Sequence, residues 1–484
     1  MHPKKPNVLV AGAILDQYYL SVDSGRTWMQ RKLESSYGVW GDPVIVADTL
    51  GHFYYFHLSN PAAGTNPGIG GNLIDRIVCQ KSTDDGQTWT DGTFTGLNGT
   101  KGQDKHWAAV DPRNNHIYLT WTQFDKYGSA DPNDRTNILF SKSTDNGESW
   151  SSPRNINSAS GDCLDGDNTV MGAVPAVGPN GEIYVSWAGP NGLVFNKSLD
   201  GGQTWLTQEK FITAMPGGWS FNIPGIYRCN GLPVTVCDRS NGPNRGTIYV
   251  NWSDQRNGRT DTDIFLVKST DGGQTWTEPV RVNDDQSGKH QFFTWMAIDQ
   301  ANGNLYFIFY DRRDFVSENT EVYMALSTDG GQTFINRKIS NASFFPAAQV
   351  FFGDYTNLTV HNGIIRPIWT RLDYNRLSLW THLMTTEDFY RSPAPDTSSG
   401  FQNYPNPATT DEFVSFKIPR RAWVNLSLYD VNGKRVADII RDEMREPGRY
   451  IEKLSLRDLR IAAGMYYLRL EIDGEIKVNR MVKY

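Results

Sequence analysis

Arginines stand beside acids at the ends of several aromatic-rich segments: Trp252-Ser-Asp-Gln-Arg256, Tyr310-Asp-Arg-Arg-Asp314, Trp369-Thr-Arg371 and Trp121-Thr-Gln-Phe-Asp125. A second polar set opens other segments: Gly41-Asp42, Asp104-Lys-His106, Arg228, His290 and Gly353-Asp354-Tyr355. Guanidinium forks can hold a carboxylate bidentately, acids can protonate a leaving oxygen, and a tyrosine oxygen can attack an anomeric carbon. Arg256, Arg312, Arg371, Arg228 and Asp354 are therefore candidate substrate-binding groups, and Tyr355, Asp104, Asp42 and His106 candidate catalytic ones. The bland alternative is that W-x-D-x-R exits form salt bridges between packed sheets, so position decides.

A repeat must supply that position. One octapeptide recurs six times: SVDSGRTW from Ser21, STDDGQTW from Ser82, STDNGESW from Ser143, SLDGGQTW from Ser198, STDGGQTW from Ser269 and STDGGQTF from Ser327. Each follows an alternating strand such as Asp263-Ile-Phe-Leu-Val-Lys268 and precedes another, which predicts a hairpin turn. Asp23, Asp84, Asp145, Asp200, Asp271 and Asp329 can accept backbone N–H bonds there, glycine supplies positive φ, and the closing aromatic packs between sheets. A turn that occurs six times is structural, not six active sites. A second phrase lies upstream of the turn, as in Ala108-Ala-Val-Asp-Pro-Arg-Asn-Asn-His-Ile-Tyr-Leu-Thr-Trp121. Four strands per period of about 60 residues predict an all-β chain built as a six- or seven-bladed β-propeller. The count stays open because the first unit lacks an obvious innermost strand, while residues 353 to 385 supply three strands and no octapeptide.

Composition agrees and excludes other classes. The 484 residues include 15 Trp, 22 Tyr, 23 Phe and 45 Gly, as aromatic strands and tight turns require. A net charge of −6 without a basic stretch argues against nucleic acid. Without an apolar run of 18 residues, no membrane span is predicted. The N-terminus has no apolar leader, so a secreted chain would have lost its signal peptide. No G-x-S-x-G, HExxH or phosphate-binding loop occurs. Asp162-Cys-Leu-Asp-Gly-Asp167 and Asp261-Thr-Asp263 offer oxygen ligands, but neither has the spacing of a Ca²⁺ loop, and no cofactor is expected. Cys163 and Cys229 precede the first strands of adjacent repeats and are a candidate disulfide; a strand separates Cys229 from Cys237.

Ser392-Pro-Ala-Pro-Asp-Thr-Ser-Ser-Gly400 is a linker, dividing the chain into 1–385, a linker over 386–400, and 401–484. The last part reads as a small immunoglobulin-like β-sandwich. Its Asn403-Tyr-Pro-Asn-Pro407, Tyr429-Asp-Val-Asn-Gly-Lys-Arg435, Ala463-Gly-Met-Tyr-Tyr467 and Lys-bearing terminus resemble the C-terminal sorting domain of type IX secretion cargo. That resemblance implies export through the type IX machinery and release or anchoring at the outer-membrane surface of a Gram-negative, Bacteroidota-like bacterium.

The octapeptide resembles the Asp box of the sialidase (BNR-repeat) superfamily. Tyr355-Thr-Asn-Leu358 is similar to the Y-S-x-L phrase that carries the sialidase nucleophile. Three positions depart from the pattern. Gly41-Asp42-Pro43 stands where the family has Arg-Ile-Pro, the loop 60–72 has no acid, and the Glu that activates the tyrosine is matched only by Asn230 or Gly231. The resemblance thus leaves two functions. One is an exo-α-sialidase-like glycoside hydrolase acting on an acidic glycan, with Tyr355 as nucleophile, Asp104 or Asp42 as acid, and Arg256, Arg312 and Arg371 holding the anion. The other is a non-catalytic surface propeller that binds glycan or protein.

Overall fold

The computed structural model describes residues 1–59, 74–286, 288–315, 318–373, 376–391, 400–404, 406–408 and 411–484. The acid-free loop 60–72 and most of the linker fall outside the described residues. The chain forms two compact units. One comprises Met1–Asp311, Glu321–Ala342 and Ala347–Tyr390; the other comprises Arg312–Thr320, Ser343–Pro346 and Arg391–Tyr484.

Among the described residues, the first unit holds seven antiparallel sheets of three or four strands, each sheet in sequence order. The second is Val44–Ala47, Phe53–Ser59, Arg76–Ser82 and Thr93–Thr95, and the third, fourth, fifth and sixth repeat this plan. The first has three strands, Leu9–Ala13, Gln17–Ser21 and Met29–Lys32; the seventh is Asn357–His361, Ile364–Asp373 and Arg376–Thr381, with Met384–Thr385 added on its middle strand. Middle strands such as Phe53–Ser59 and Ile248–Asp254 are buried at every residue. Such a strand is apolar on both faces and needs a neighbouring sheet on each.

The six octapeptide turns supply that covering. In each, the Asp Oδ1 accepts the backbone N–H four residues on, and Oδ2 accepts the hydroxyl of the same Thr or Ser, at 2.9 and 2.6 Å for Asp84 and Thr88. The preceding Ser Oγ accepts the glycine N–H, at 2.8 Å for Gly202 on Ser198. That glycine, at φ 85°, would drive a Cβ to 2.3 Å from Phe140 of the previous sheet, so only Gly fits. The closing aromatic packs the same way: Trp205 lies edge-on to Phe140 at 5.0 Å, and Trp276 to Phe195 at 5.2 Å. The turn of the first sheet, through Gly25, meets Leu383 beyond the third strand of the seventh.

The second unit is a β-sandwich. A sheet of Gln402–Tyr404, Asp411–Ile418 and Gly448–Ser455 shares one core with a sheet of Arg435–Arg445, Ala422–Asp430, Gly464–Ile472 and Glu475–Lys483. Inward residues alternate along the strands, as in Val424, Leu426 and Leu428. Glu412 is fully buried beside Asn403, which donates to its Oε1, while Oε2 has no partner. Burial pushes this carboxyl up to about 7, against the lowering bond from Asn403.

The expected Cys163–Cys229 disulfide does not form; all four cysteines are buried thiols. Cys163 packs with Phe124 and Met171, whereas Cys229 belongs to a short strand paired with Ser220–Phe221.

Two pH dependences follow. Hydrogen bonds from Thr27 hold Asp23 down at about 2, and those around Asp145 and Asp329, outweighing slight burial, hold these at about 2 as well. Unfolded aspartates titrate near ~3.9, so this stabilisation is complete above that pH and is lost as pH falls through about 2. The propeller Tm should therefore drop between pH ~4 and 2 in calorimetry, and Asp145→Asn with Asp329→Asn should flatten the drop. Glu412 has the opposite sign. The fold prefers its protonated form, so sandwich stability declines from pH ~4.5 up to about 7 and stays low above it. Glu412→Gln should raise the sandwich Tm at pH 8 by several degrees and remove that slope.

Candidate functional site

Turns of the octapeptide type occupy one end of the sheets, so the innermost strands begin at the other. There the backbone is irregular. The strand Gly102–Val110 slips register between Asp104 and Trp107, Met171–Val177 between Met171 and Val174, and Gln291–Asp299 between Phe292 and Trp295. Each slip holds one left-handed residue: Lys105 at φ 50°, Gly172 at φ 79° and Phe293 at φ 50°; Asp42, just ahead of Val44–Ala47, also has φ 50°. A bulge of this kind re-aims a side chain, and a non-glycine residue in it stores of order 1 kcal/mol.

The re-aimed Lys105 meets two acids from other sheets. Its Nζ lies 2.6 Å from Asp354 Oδ2 and 3.4 Å from Asp42 Oδ2. Arg228 grips the same Asp354 with both arms, Nε to Oδ1 at 2.8 Å and Nη2 to Oδ2 at 2.6 Å. Asn230 Nδ2 donates to the Asp354 carbonyl at 2.9 Å. Farther out, Arg228 Nη1 lies 3.8 Å from Asp165, which accepts the Tyr127 hydroxyl at 2.7 Å. The structure thus brings together Asp42, Asp104, Arg228, Asp354 and Tyr355 of the sequence candidates, around Lys105.

Charge balance in this network is set by burial and pairing. Burial works against the Asp354 carboxylate, yet Lys105 and Arg228 outweigh it and hold its pKa at about 2. Burial likewise opposes the Lys105 ammonium, but Asp354 and Asp42 lift its pKa well above the ordinary range. Asp104 is pushed up to about 7, first by burial and then, against Lys105, by Asp42 and Asp165. Four acids surround two cations here, so the cluster has no positive charge to spare.

Tyr355 packs edge-on to Trp107 at 5.0 Å, and Trp107 lies 4.4 Å from Trp295. Burial raises the Tyr355 pKa well above its ordinary value, and Asp42 raises it further against the opposing pull of Lys105. His106 makes no side-chain hydrogen bond to this group. It is buried with its ring 6.5 Å from Phe56, and burial lowers its pKa to about 4.

The three arginines expected to hold an anion do not join the cluster. Arg256 closes on Asp254 of its own sheet at 2.6 Å and stacks on Phe265 at 4.4 Å. Arg371 closes on Asp373 at 2.6 Å and covers Trp380 at 4.7 Å. Arg312 belongs to the second compact unit, where its Nε donates to Thr320 Oγ1. His290 is buried beside the Thr262 hydroxyl. Arg371 and Asp373 pair because residues i and i+2 of a strand share a face, while Arg256 folds back on Asp254 from the turn just after its strand. Sequence reasoning missed Lys105, Asp165 and the Trp107–Trp295 pair. Asn230 was noted only as a replacement for an expected acid. Among the described residues, no group of three His, Cys, Asp or Glu side chains is placed to hold a metal ion.

Residues 402–484 match the family described as the secretion system C-terminal sorting domain. This domain marks the chain for secretion or attachment at the cell surface, and no helix among the described residues is long and apolar enough to cross a membrane. No curated protein matches the chain. Solved structures similar to it include the NanB sialidase from Streptococcus pneumoniae, at 11% identity over 72% of this chain and 68% of that one, with a TM-score of 0.44. The intramolecular trans-sialidase from Ruminococcus gnavus aligns at 13% identity over 81% of this chain and 100% of that one, with a TM-score of 0.46. At such scores the chemistry of this chain must be argued from its own residues.

Removing one partner of a buried ion network leaves the others uncompensated. Asp354→Ala should therefore destabilise the propeller by ~3 kcal/mol or more in urea unfolding. Arg256→Ala should also be costly, because it leaves the fully buried Asp254 carboxylate without its cation.

Proposed function

We propose that this chain is an exported propeller that binds a glycan at the axial rim and does not hydrolyse it by a sialidase mechanism. One observation carries the reading: among the described residues, the cations that converge on Asp354 at the axis, Lys105 and Arg228, are both committed to it. A carboxylated sugar would have to displace a buried carboxylate to reach them. The tyrosine argues the same way. A nucleophilic phenol needs a neighbouring base or a lowered pKa, whereas Tyr355 has Trp107 on its ring and a raised pKa. Export and surface attachment suit a glycan-binding role, and the aromatic and polar groups of the rim are of the kinds that recognise sugar rings and hydroxyls.

The hydrolase reading has one point in its favour. Asp104, with its pKa about 7, is poised as a general acid at the same rim. The full chain should be assayed on sialosides, uronides, sulfated and neutral glycans, with products identified by mass spectrometry, alongside glycan-array binding. Binding without turnover, unchanged in Tyr355→Phe, is the expected result. Turnover that Tyr355→Phe abolishes would replace this reading with the hydrolase.

A further inference from the structure

Among the described residues, the first propeller sheet has three strands where the next five have four. Beside its strand Leu9–Ala13 lies a cavity of about 500 Å³, a size that takes a small organic molecule. Ala11, Val44, Val46 and Leu358 wall it, so a ligand must bring an apolar body. Three aromatic rings from distant parts of the chain join the lining: Trp107, Trp295 and Tyr355. Trp295 is inclined at 41° to Trp107 and Tyr355 at 66°, so the rings form angled walls and not a stack. Rings set at angles can present more than one π face to a common point, which is how aromatic groups surround an ammonium ion.

Charge is distributed unevenly along the cavity. Asp42 and Asp354 line it at the end where the innermost strands begin. Asp354 holds both Lys105 and Arg228, whereas among the described residues Asp42 pairs with Lys105 alone, at 3.4 Å. That lysine sits nearer Asp354, at 2.6 Å, and the Asp42 side chain is partly exposed. Even with Asp104 protonated, Asp42, Asp165 and Asp354 face two cations, which leaves one negative charge over at this end. At the octapeptide end another lining residue, Arg366, donates to the carbonyls of Ser24, Ile365 and Met384. A molecule in the cavity therefore meets surplus carboxylate at one end and a guanidinium at the other, and its own positive charge belongs at Asp42.

We propose that this cavity binds an organic ammonium ion, a small molecule whose apolar body lies along Leu9–Ala13 and whose cationic head sits at Asp42 beside Trp107, Trp295 and Tyr355. Two attractions hold the head. One is the Coulomb pull of the surplus carboxylate in a partly desolvated place, and the other is the ring quadrupoles. A substituted ammonium suits the site better than a bare one, because its charge is spread over carbon and costs less to take out of water. The proposal is independent of the glycan reading, since it asks for no hydroxyl groups and rests on the cavity and its charge.

The test titrates the full chain with benzyltrimethylammonium, benzyl alcohol and benzenesulfonate, following tryptophan fluorescence and the heat of binding. The ammonium should bind saturably and roughly tenfold or more tighter than the alcohol, and the sulfonate should not bind. Asp42→Asn keeps a residue type that tolerates the left-handed φ of 50° at this position. It should weaken the ammonium by roughly tenfold and leave the alcohol unchanged. Ala11→Phe, which narrows the cavity and leaves every charge in place, should weaken both. Absence of saturable ammonium binding, equal affinity for ammonium and alcohol, or tighter binding of the sulfonate would overturn the proposal. So would undiminished ammonium affinity in either folded variant, because the molecule would then be bound elsewhere.

Discussion

The middle strands of the four-stranded propeller sheets are buried on both faces, and that constraint shapes the rest of the unit. A strand such as Phe53–Ser59, with Phe53, Tyr54, Tyr55 and Phe56 all below 1% exposure, cannot face water on either side. Only another sheet can cover it, and the octapeptide turn is the local device that makes the fit. Its glycine lets Phe140 or Phe195 approach the backbone, and its aromatic closes over the same ring. The carboxylates of the turn are consumed in holding that shape, with each oxygen already accepting bonds from the same turn. Chemistry is therefore displaced to the opposite end, where the innermost strands begin.

At that end the sheets converge, and side chains from distant parts of the chain meet. Lys105 and Asp354 are 249 residues apart, yet their side chains lie 2.6 Å from each other. Bulges bring this about. Without the slip between Asp104 and Trp107, strand alternation would place Lys105 by the same rule as its neighbours. Acids outnumber cations in the resulting network, so both cations are paired and neither is free to hold another anion. A buried carboxylate with two cationic partners and a backbone anchor from Asn230 is a rigid group. Such a group favours a preformed binding surface over one that must reorganise during a reaction.

The all-β fold and the octapeptide turns were legible in the sequence because they rest on local repetition, and the sorting domain because its short phrases are contiguous in sequence. The sheet count was half legible: residues 353 to 385 do form a further sheet, and the first sheet does lack an innermost strand. The site was legible in part. Asp42, Asp354 and Tyr355 lie just ahead of the innermost strands Val44–Ala47 and Asn357–His361, and Arg228 reaches Asp354 from the short strand pair ahead of Val234–Cys237. Arg256 and Arg371 were expected to hold an anion; each instead pairs with the acid two residues away, Asp254 and Asp373. Lys105 was not legible, since a bulge leaves no mark in residue type when its left-handed position is filled by lysine and not glycine.

Asn230 is placed to donate and not to take up a proton. The nitrogen lone pair of an amide is delocalised and its oxygen is a very weak base. The Asn230 Nδ2 donates to the carbonyl of Asp354, the residue before Tyr355, and so fixes the backbone there. Lys105 and Arg228 then fix the Asp354 side chain from the other direction, so the residue beside the phenol is held at both ends. Holding Asp354 this firmly fixes the backbone beside Tyr355, whose ring packs edge-on to Trp107.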